Sequence, residues 1–392
     1  MSKTEIQVPL LDLKAQFANI QNEIMPRINE VCENQYFILG PSVKELEQQV
    51  AEYSQCEHGV GVSSGTDALL VSLMALEIGP GDEVITTPYT FFATAGAIAR
   101  VGARPLFCDI DPDTYNIAPD SVRALISEKC KVENGALINK ETGGKVRVIL
   151  PVHLYGQMAD MVPLMDIAKE YNLSVVEDAA QAIGAENDNG SRAGSVGDIG
   201  CFSFFPSKNL GAFGDGGMCT TKDSGLEERL RIMRAHGSKP KYYHAFIGGN
   251  FRLDEIQAAV LLVKLKHLDD WTKQRQANAS DYTKLFNDAG LGENVKTPLA
   301  VKGYRHIYNQ YVCRVKDRDA LRKHLADNKI GSEVYYPVPL HVQDCFSYLG
   351  YKEGDCPESE SAANETVAIP IYPELTTEQK EYVVNTISDF YK

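Results

Sequence analysis

Lys208 follows an apolar, β-rich run that Pro206 brings to an end, and a glycine-rich stretch, residues 211–217, comes shortly after it. Proline terminates a strand, and glycines keep side-chain bulk away from the space around them. An amine placed there loses solvent, which lowers its pKa and makes it a nucleophile toward aldehydes. Taken alone, such a lysine is more often an ordinary surface residue, so the prediction depends on what accompanies it.

Asp178 supplies the second chemical group, since it ends a separate apolar run, residues 173–177. A lysine that can form a Schiff base and an acid that can pair with a pyridinium nitrogen are the minimum that pyridoxal phosphate requires of a protein. An N-capping aspartate is the simpler interpretation of Asp178. The two residues together predict a pyridoxal phosphate site.

A phosphate seat is predicted where Gly65 and Thr66 open a helix. The start of a helix offers free backbone N–H groups and the positive end of its dipole, and the threonine adds a hydroxyl. Ser203 lies close enough to Lys208 in sequence for its hydroxyl to reach the same phosphate. An ordinary helix cap and a strand serine are the alternatives.

Two further side chains could contact a flat heteroaromatic ring. Phe91 follows a predicted strand end and could stack on the ring face, although aromatic residues there are more often core. Gln181, three residues after Asp178, could reach the phenolic edge of the ring or cap a helix.

Anion-binding groups occur in the glycine-rich turn before a long helix, where Asn250 and Arg252 stand. Upstream, a stretch without any acid contains Arg229, Arg231, Arg234, His236, Lys239, Lys241 and His244. In so acidic a chain this positive island suits a diphosphate. A solvated helix face and loop is the competing interpretation.

A proline-stiffened segment, residues 334–343, carries Tyr335, Tyr336 and His341. Two tyrosines and a histidine could line a sugar site, or they could do no more than pack. The sequence predicts no metal site.

The elements that must position these groups alternate between strand-like and helix-like segments, which predicts an α/β fold with a mainly parallel sheet. The predicted strands are 83–87, 104–108, 146–154 and the runs that end at Asp178 and near Phe205. Functional groups of open α/β sheets gather at the carboxyl ends of the strands, where Asp178 and Lys208 both fall. Segment 129–145 is polar and predicts a surface insertion, and a long helix begins at Leu253.

Composition limits the class of protein. The formal net charge of −14 disfavours nucleic-acid and anionic-membrane binding, which need a positive field. The nine cysteines show no regular spacing and indicate reduced thiols rather than a disulfide framework. With no apolar signal core or membrane-length apolar stretch, a cytoplasmic protein is expected.

Three motifs, residues 177–181, 206–211 and 250–254, occur in an order and spacing that resemble the DegT/DnrJ/EryC1/StrS family of pyridoxal-phosphate-dependent nucleotide-sugar aminotransferases. The resemblance runs nearly end to end. It implies the type I fold of aspartate aminotransferase, a large α/β domain with a mainly parallel seven-stranded sheet between helices and a smaller C-terminal α+β domain. The expected boundaries are an N-terminal arm at 1–15, the large domain at 16–262 and the smaller domain at 263–392.

The resemblance also implies roles. Lys208 would hold the cofactor covalently and shuttle a proton, and Asp178 would pair with the pyridine nitrogen. The remaining cofactor contacts would be Phe91 on the ring, Gln181 at the ring oxygen, and Gly65, Thr66 and Ser203 on the phosphate, joined by Asn250 from the partner of a homodimer. The sugar contacts would be Arg252, Tyr335, Tyr336 and His341. Tyr335 stands where several relatives have histidine, which affects sugar recognition rather than the chemistry.

The implied function is transfer of an amino group, with glutamate the expected donor, to a UDP- or dTDP-linked keto-sugar for cell-surface polysaccharide or amino-sugar biosynthesis. Segment 334–343 looks most like members that aminate C3, and amination of C4 is the main alternative. A related sugar dehydratase would have histidine where Lys208 stands. A regulatory or sensory protein that binds the cofactor without turnover is the alternative from another class.

Overall fold

A computed structural model of the chain describes residues 6–392. The strands, in chain order, are β1 His58–Val62, β2 Asp82–Thr86, β3 Arg104–Phe107, β4 Cys130–Glu133, β5 Ala136–Asn139, β6 Lys145–Ile149, β7 Ser174–Asp178, β8 Ile199–Ser203, β9 Gly217–Thr221, β10 Val295–Lys296, β11 Tyr311–Val315 and β12 Thr366–Ile369. The α-helices are α1 Leu13–Asn34, α2 Pro41–Tyr53, α3 Gly65–Ala75, α4 Ala93–Arg100, α5 Pro119–Lys129, α6 Met161–Tyr171, α7 Ser224–Arg234, α8 Glu255–Asp288, α9 Arg318–Asp327, α10 Pro357–Glu365 and α11 Thr377–Tyr391.

The large sheet has the strand order β1-β9-β8-β7-β6-β2-β3. Neighbours along this path are parallel, except that β9 runs antiparallel to both β1 and β8. The predicted mainly parallel, seven-strand path is therefore confirmed. The strands alternate with helices that cover the sheet, as the sequence pattern indicated.

Both faces of this sheet are buried, because alternate residues of each strand enter two different cores. Val84, Val148 and Val176 face one core, while their neighbours Ile85, Ile149 and Val175 face the other. A strand covered on both faces needs apolar residues at successive positions. This requirement explains the uninterrupted apolar runs that predicted the strands.

The predicted strand 146–154 is shorter than expected, since β6 ends at Ile149. Pro151 follows and has no N–H to continue a ladder. Its carbonyl instead accepts a hydrogen bond from the backbone N–H of Asp178 at 2.9 Å, and the His153 N–H donates to the Asp178 carbonyl at 3.0 Å. The chain after β6 thus anchors the end of β7.

Segment 129–145 is ordered rather than a mere surface loop. It forms the antiparallel hairpin β4–β5, which pairs with the first residues of β6 and enlarges the sheet to nine strands. The buried Asn139 amide donates to Glu83 at 2.8 Å, which ties the hairpin to β2.

A second, antiparallel sheet, β10-β11-β12, lies in the C-terminal part and has its own core. Helix α8 belongs to both parts: Leu261 and Leu268 pack in the large core, whereas Tyr282 and Phe286 pack in the smaller one. The helix is continuous through the expected boundary at 262/263, and that boundary stays a prediction. Of the expected arm, residues 1–5 lie outside the described chain, Val8 pairs with Ile330, and α1 begins at Leu13.

Within residues 6–392, none of the helices combines the length and apolar character needed to span a bilayer.

Candidate active site

The site is built at the carboxyl edge of the parallel strands. Asp178 is the last residue of β7 and pairs in register with Cys201 of the adjacent β8, which ends at Ser203. Lys208 follows five residues later, in the turn after Pro206. Because parallel neighbours end at the same edge, the topology brings the two predicted chemical groups together.

Lys208 is half-buried, and within residues 6–392 its amine has no hydrogen-bond partner. Burial lowers the pKa of Lys208 to about 8, and the negative charge of Asp178 opposes the shift. An amine with that pKa is partly deprotonated near neutral pH and is a competent nucleophile. The predicted reactive lysine therefore has a physical basis in the structure.

Asp178 is buried and accepts two hydrogen bonds on its carboxylate. Thr94 Oγ1, in the first turn of α4, donates to Oδ2 at 2.8 Å, and the Ala180 N–H donates to Oδ1 at 3.2 Å. Burial raises the pKa of Asp178, while the bond from Thr94 and the charge of Lys208 act in the opposite direction. The carboxylate is held at the strand end within reach of the Lys208 charge.

The predicted phosphate seat is a tight backbone cradle. A Cβ atom added at Gly65 would lie 2.6 Å from Ser203 Cβ, so the start of α3 lies directly against the end of β8. Ser64 caps α3 by accepting from the Asp67 N–H at 3.0 Å, and Thr66 is exposed in the first turn. Free N–H groups and two hydroxyls thus converge where a phosphate group could bind.

Gln181 connects the strand edge with the predicted sugar segment. Its Oε1 accepts from the Tyr155 backbone N–H at 2.7 Å, and its Nε2 donates to Tyr336 Oη at 3.1 Å. Phe91 is exposed, and its ring lies 5.8 Å from that of Tyr336. The Tyr335 carbonyl accepts a hydrogen bond from Tyr155 Oη. The fold therefore groups Gln181, Tyr335 and Tyr336 with Tyr155, and Phe91 joins this group through the Tyr336 ring.

His341 lies elsewhere in the fold. It is buried, its Nε2 bonds to Glu360 Oε1 at 2.9 Å, and its ring lies edge-on to Tyr351. Within residues 6–392 it has no hydrogen bond, ion pair or ring contact with Lys208, Asp178 or Gln181. The structure therefore does not bring His341 to the other predicted site residues, and its sugar contact stays a prediction.

Asn250 and Arg252 line a cavity of about 550 Å³ with Ser63, Ser64 and Asp67. This cavity therefore adjoins the start of α3. Asn250 is exposed on its own chain, and its predicted contact across a dimer stays a prediction.

The positive island is largely neutralised. Arg231 and Arg234 both pair with Glu47, Arg229 pairs with Glu77, and Lys239 pairs with Glu228. Acids remote in sequence supply much of this compensation. The island is thus for the most part a set of ion pairs, and a diphosphate seat there loses its support.

The family model described as the DegT/DnrJ/EryC1/StrS aminotransferase family matches residues 18–388. The chain belongs to the DegT/DnrJ/EryC1/StrS aminotransferase family. It is 51% identical over 387 residues to the "Pleiotropic regulatory protein" of Geobacillus stearothermophilus, with 99% of each chain covered. It is 42% identical over 380 residues to the "UDP-N-acetyl-3-dehydro-alpha-D-glucosamine 3-aminotransferase" of Acidithiobacillus ferrooxidans, with 97% of each covered.

Among solved structures, the S. venezuelae DesV complex with a ketimine intermediate superposes with a TM-score of 0.90 at 38% identity, covering 98% of this chain and 99% of that one. As a member of the DegT/DnrJ/EryC1/StrS family, this protein is an aminotransferase with the type I fold. The predictions of family, fold class and enzyme class are confirmed.

Sequence reasoning missed Thr90, Thr94 and Tyr155. The two threonines are four residues apart around the start of α4, and that spacing after a strand end was a usable signal. Tyr155 gave no signal, because its hydroxyl contacts a carbonyl 180 positions away. Its backbone has φ of 59°, a left-handed conformation that few buried tyrosines adopt.

Proposed function

We propose that this aminotransferase moves an amino group from an amino acid, with L-glutamate the expected donor, to the C3 keto group of a UDP- or dTDP-linked sugar. The observation that carries the chemistry is the placement of the Lys208 amine near the Asp178 carboxylate. Burial lowers the pKa of that amine to about 8, and the carboxylate beside it is buried. The C3 position is supported by the 3-aminotransferase of Acidithiobacillus ferrooxidans, which is 42% identical to this chain. The product would serve amino-sugar or cell-surface polysaccharide synthesis.

The residues present fit pyridoxal phosphate. The cradle between Gly65 and Ser203 has no room for a side chain at position 65, which suits close approach of a phosphate group to backbone N–H groups. Thr66 and Ser203 would add hydroxyl donors to the phosphate, and Phe91 has an exposed ring face for stacking. When bound, the cofactor supplies a ring that takes up electrons released at the substrate carbon.

Side chains of this protein would take the remaining roles in the reaction. Lys208 would bind the cofactor aldehyde, and its amine, once released by the donor, would carry a proton between the substrate carbon and the cofactor. Asp178 would hold a proton on the ring nitrogen. Gln181 would lie at the ring oxygen and orient Tyr336, which it already contacts. Arg252 and Tyr335 complete the proposed sugar contacts.

The test is a pair of half-reactions. A purified protein carrying pyridoxal phosphate should lose its yellow colour when glutamate is added, and α-ketoglutarate should accumulate in equal amount. The colourless form should then regain colour with the correct nucleotide-linked keto-sugar. UDP- and dTDP-linked 3-keto and 4-keto sugars form the screening set, and a response to a 4-keto sugar alone would replace C3 with C4.

A regulatory role without turnover is the second candidate, because the relative at 51% identity bears the name of a regulatory protein. The buried Asp178 carboxylate near the Lys208 amine favours catalysis, since a protein that only binds the cofactor has no need of an acid that keeps the ring nitrogen protonated. Persistence of the yellow colour with every amino donor would favour the regulator.

We further propose a homodimer in the cytoplasm, with Asn250 of each subunit completing the phosphate seat of the other. Large apolar side chains exposed on one chain, among them Tyr36, Phe37, Ile38 and Phe213, support a partner surface. All nine cysteines are free, which suits a reducing compartment.

Mixed dimers test the composite site. Asn250→Ala and Lys208→Ala subunits, each inactive alone, should regain activity on mixing because one site of the hybrid has both intact residues. We expect up to about half of the activity per hybrid dimer, measured by coupled assay after subunit exchange. Exchange proven by differently tagged subunits, without any recovered activity, would contradict the cross-subunit position of Asn250.

A further inference from the structure

The carboxylate of Asp178 has a defined set of partners. Within residues 6–392, its hydrogen-bond donors are Thr94 Oγ1 at 2.8 Å and the Ala180 N–H at 3.2 Å. The Ala180 bond is a local backbone contact two residues away, whereas Thr94 comes from a different helix, α4. Thr94 is thus the side chain that fixes the Oδ2 oxygen.

A second hydroxyl stands behind the first. Thr90 Oγ1 lies 2.9 Å from Thr94 Oγ1, and both threonines are buried, with exposures of 2% and 0%. An ionised carboxylate only accepts hydrogen bonds, and a threonine has a single hydroxyl hydrogen. Thr94 therefore donates to Asp178, and Thr90 must donate to Thr94. This count of hydrogens fixes the direction of both hydrogen bonds, from Thr90 to Thr94 and from Thr94 to Asp178.

Within the described chain, the neighbouring His153 and Lys208 side chains form no hydrogen bond with the Asp178 carboxylate and so do not take the place of Thr94. His153 is close to Asp178 in the fold, but its Nδ1 accepts from the Ala159 N–H at 3.1 Å and its Nε2 faces Glu177 Oε2 at 2.7 Å. Both ring nitrogens are thereby used. Lys208 acts on Asp178 through its charge, and the structure gives no hydrogen bond between them.

We propose that Thr94, with Thr90 behind it, is a positioning residue that holds the Asp178 carboxylate so that the shared proton stays on the ring nitrogen of the cofactor. The inference rests on the proposed pairing of Asp178 with that nitrogen. A carboxylate and a pyridine nitrogen in contact share one proton, and each donor to the carboxylate lowers its hold on that proton. The Thr94 hydroxyl thus favours the charged pair, which makes the ring a stronger electron acceptor.

The test replaces Thr94 by valine, which keeps the shape and removes the hydroxyl. The protein is loaded with pyridoxal phosphate labelled with nitrogen-15 in the ring, and the nitrogen resonance reports whether the ring is protonated. In Thr94→Val it should move toward the position of the unprotonated ring. The half-reaction with glutamate should slow about tenfold, as expected for losing one hydrogen bond to a charged group.

Matched variants separate positioning from packing. Thr94→Ser restores the hydroxyl and should restore the resonance, while Thr90→Val should shift it less than Thr94→Val does. If Thr94→Val does not fold, Thr94→Cys supplies a weaker donor in the same place and should give an intermediate shift. An unchanged ring resonance in a folded Thr94→Val or Thr94→Cys protein would overturn the proposal.

Asp178→Asn distinguishes this inference from the one on which it rests. If Asp178 pairs with the ring nitrogen, the resonance of that variant moves to the unprotonated position. If it does not move, the proposed role of Asp178 itself is wrong. A shift in Asp178→Asn without one in Thr94→Val would reject only the role of Thr94.

Discussion

Replacement of Lys208 by alanine should abolish the covalent link between the protein and pyridoxal phosphate. Borohydride reduction followed by mass spectrometry should then find no cofactor-modified peptide. Turnover should fall by more than about 10²-fold, because the proton carrier is lost together with the link. Cofactor would still bind without the link, through the phosphate seat at Gly65 and Ser203.

Lys264 is a matched control. Burial also lowers its pKa to about 8, but its amine donates to the Gly211 carbonyl at 2.7 Å and lies over the Phe213 ring. A lowered pKa is therefore not specific to the site. Lys208 differs from Lys264 because the negative charge of Asp178 acts on its amine. Lys264→Ala should retain the reducible link. Covalent labelling that survives Lys208→Ala and disappears in Lys264→Ala would reverse the assignment.

The pH dependence of cofactor capture follows from the lowered pKa of Lys208. Burial places the pKa of Lys208 at about 8, below its usual range, so the amine loses its proton as the pH rises through 8. The rate at which cofactor-free protein captures pyridoxal phosphate should therefore increase up to that region and level off above it. Stopped-flow absorbance measures this rate. A profile that continues to rise toward pH 10 would indicate an exposed lysine.

Asp178→Asn should slow both half-reactions by about 10²- to 10³-fold, the range observed when one preorganised electrostatic group is removed. An asparagine keeps the size and the bond to Ala180, but it cannot hold a proton on the ring nitrogen. Cofactor binding should persist, since the phosphate seat and Lys208 are intact. Single-turnover absorbance with glutamate and with a keto-sugar measures the two steps separately.

Asp198→Asn is the control for this substitution. Asp198 accepts a hydrogen bond from the Val175 N–H at 2.7 Å, near the start of β7, so it lies at the opposite end of the strand from Asp178. Its replacement should leave both half-reactions near normal. Equal losses in the two variants would show that damage to the sheet, not the missing charge, slows the enzyme.

Local features of the sequence were enough to predict Lys208 and Asp178 as the reactive pair and to assign the fold class. Pro206 and the glycines after it mark the end of a strand, and the apolar runs mark buried parallel strands. Adjacent parallel strands end at a common edge, so residues at or just after those ends lie close together. The end of β6 at Ile149 was missed although Pro151 stands inside the predicted strand, because apolar residues continue beyond that proline.

The tertiary structure decided how side chains remote in sequence pair. The sequence showed Arg231 and Arg234 as part of a positive island, but Glu47, more than 180 positions earlier, pairs with both. His341 pairs with Glu360, and its predicted contact with the sugar stays a prediction. The sequence shows which charged residues are present but not which of them form ion pairs.

The hydrogen bond from the Thr94 hydroxyl to Asp178 is another contact that only the tertiary structure revealed, since Thr94 is 84 positions away. The sequence by itself determined the α/β fold class and predicted which groups do the chemistry, because each of these groups is marked by local backbone signals near a strand end. Only the fold decided which side chains hold those groups in place, since a hydrogen bond of 2.8 Å depends on how α4 packs against the edge of β7.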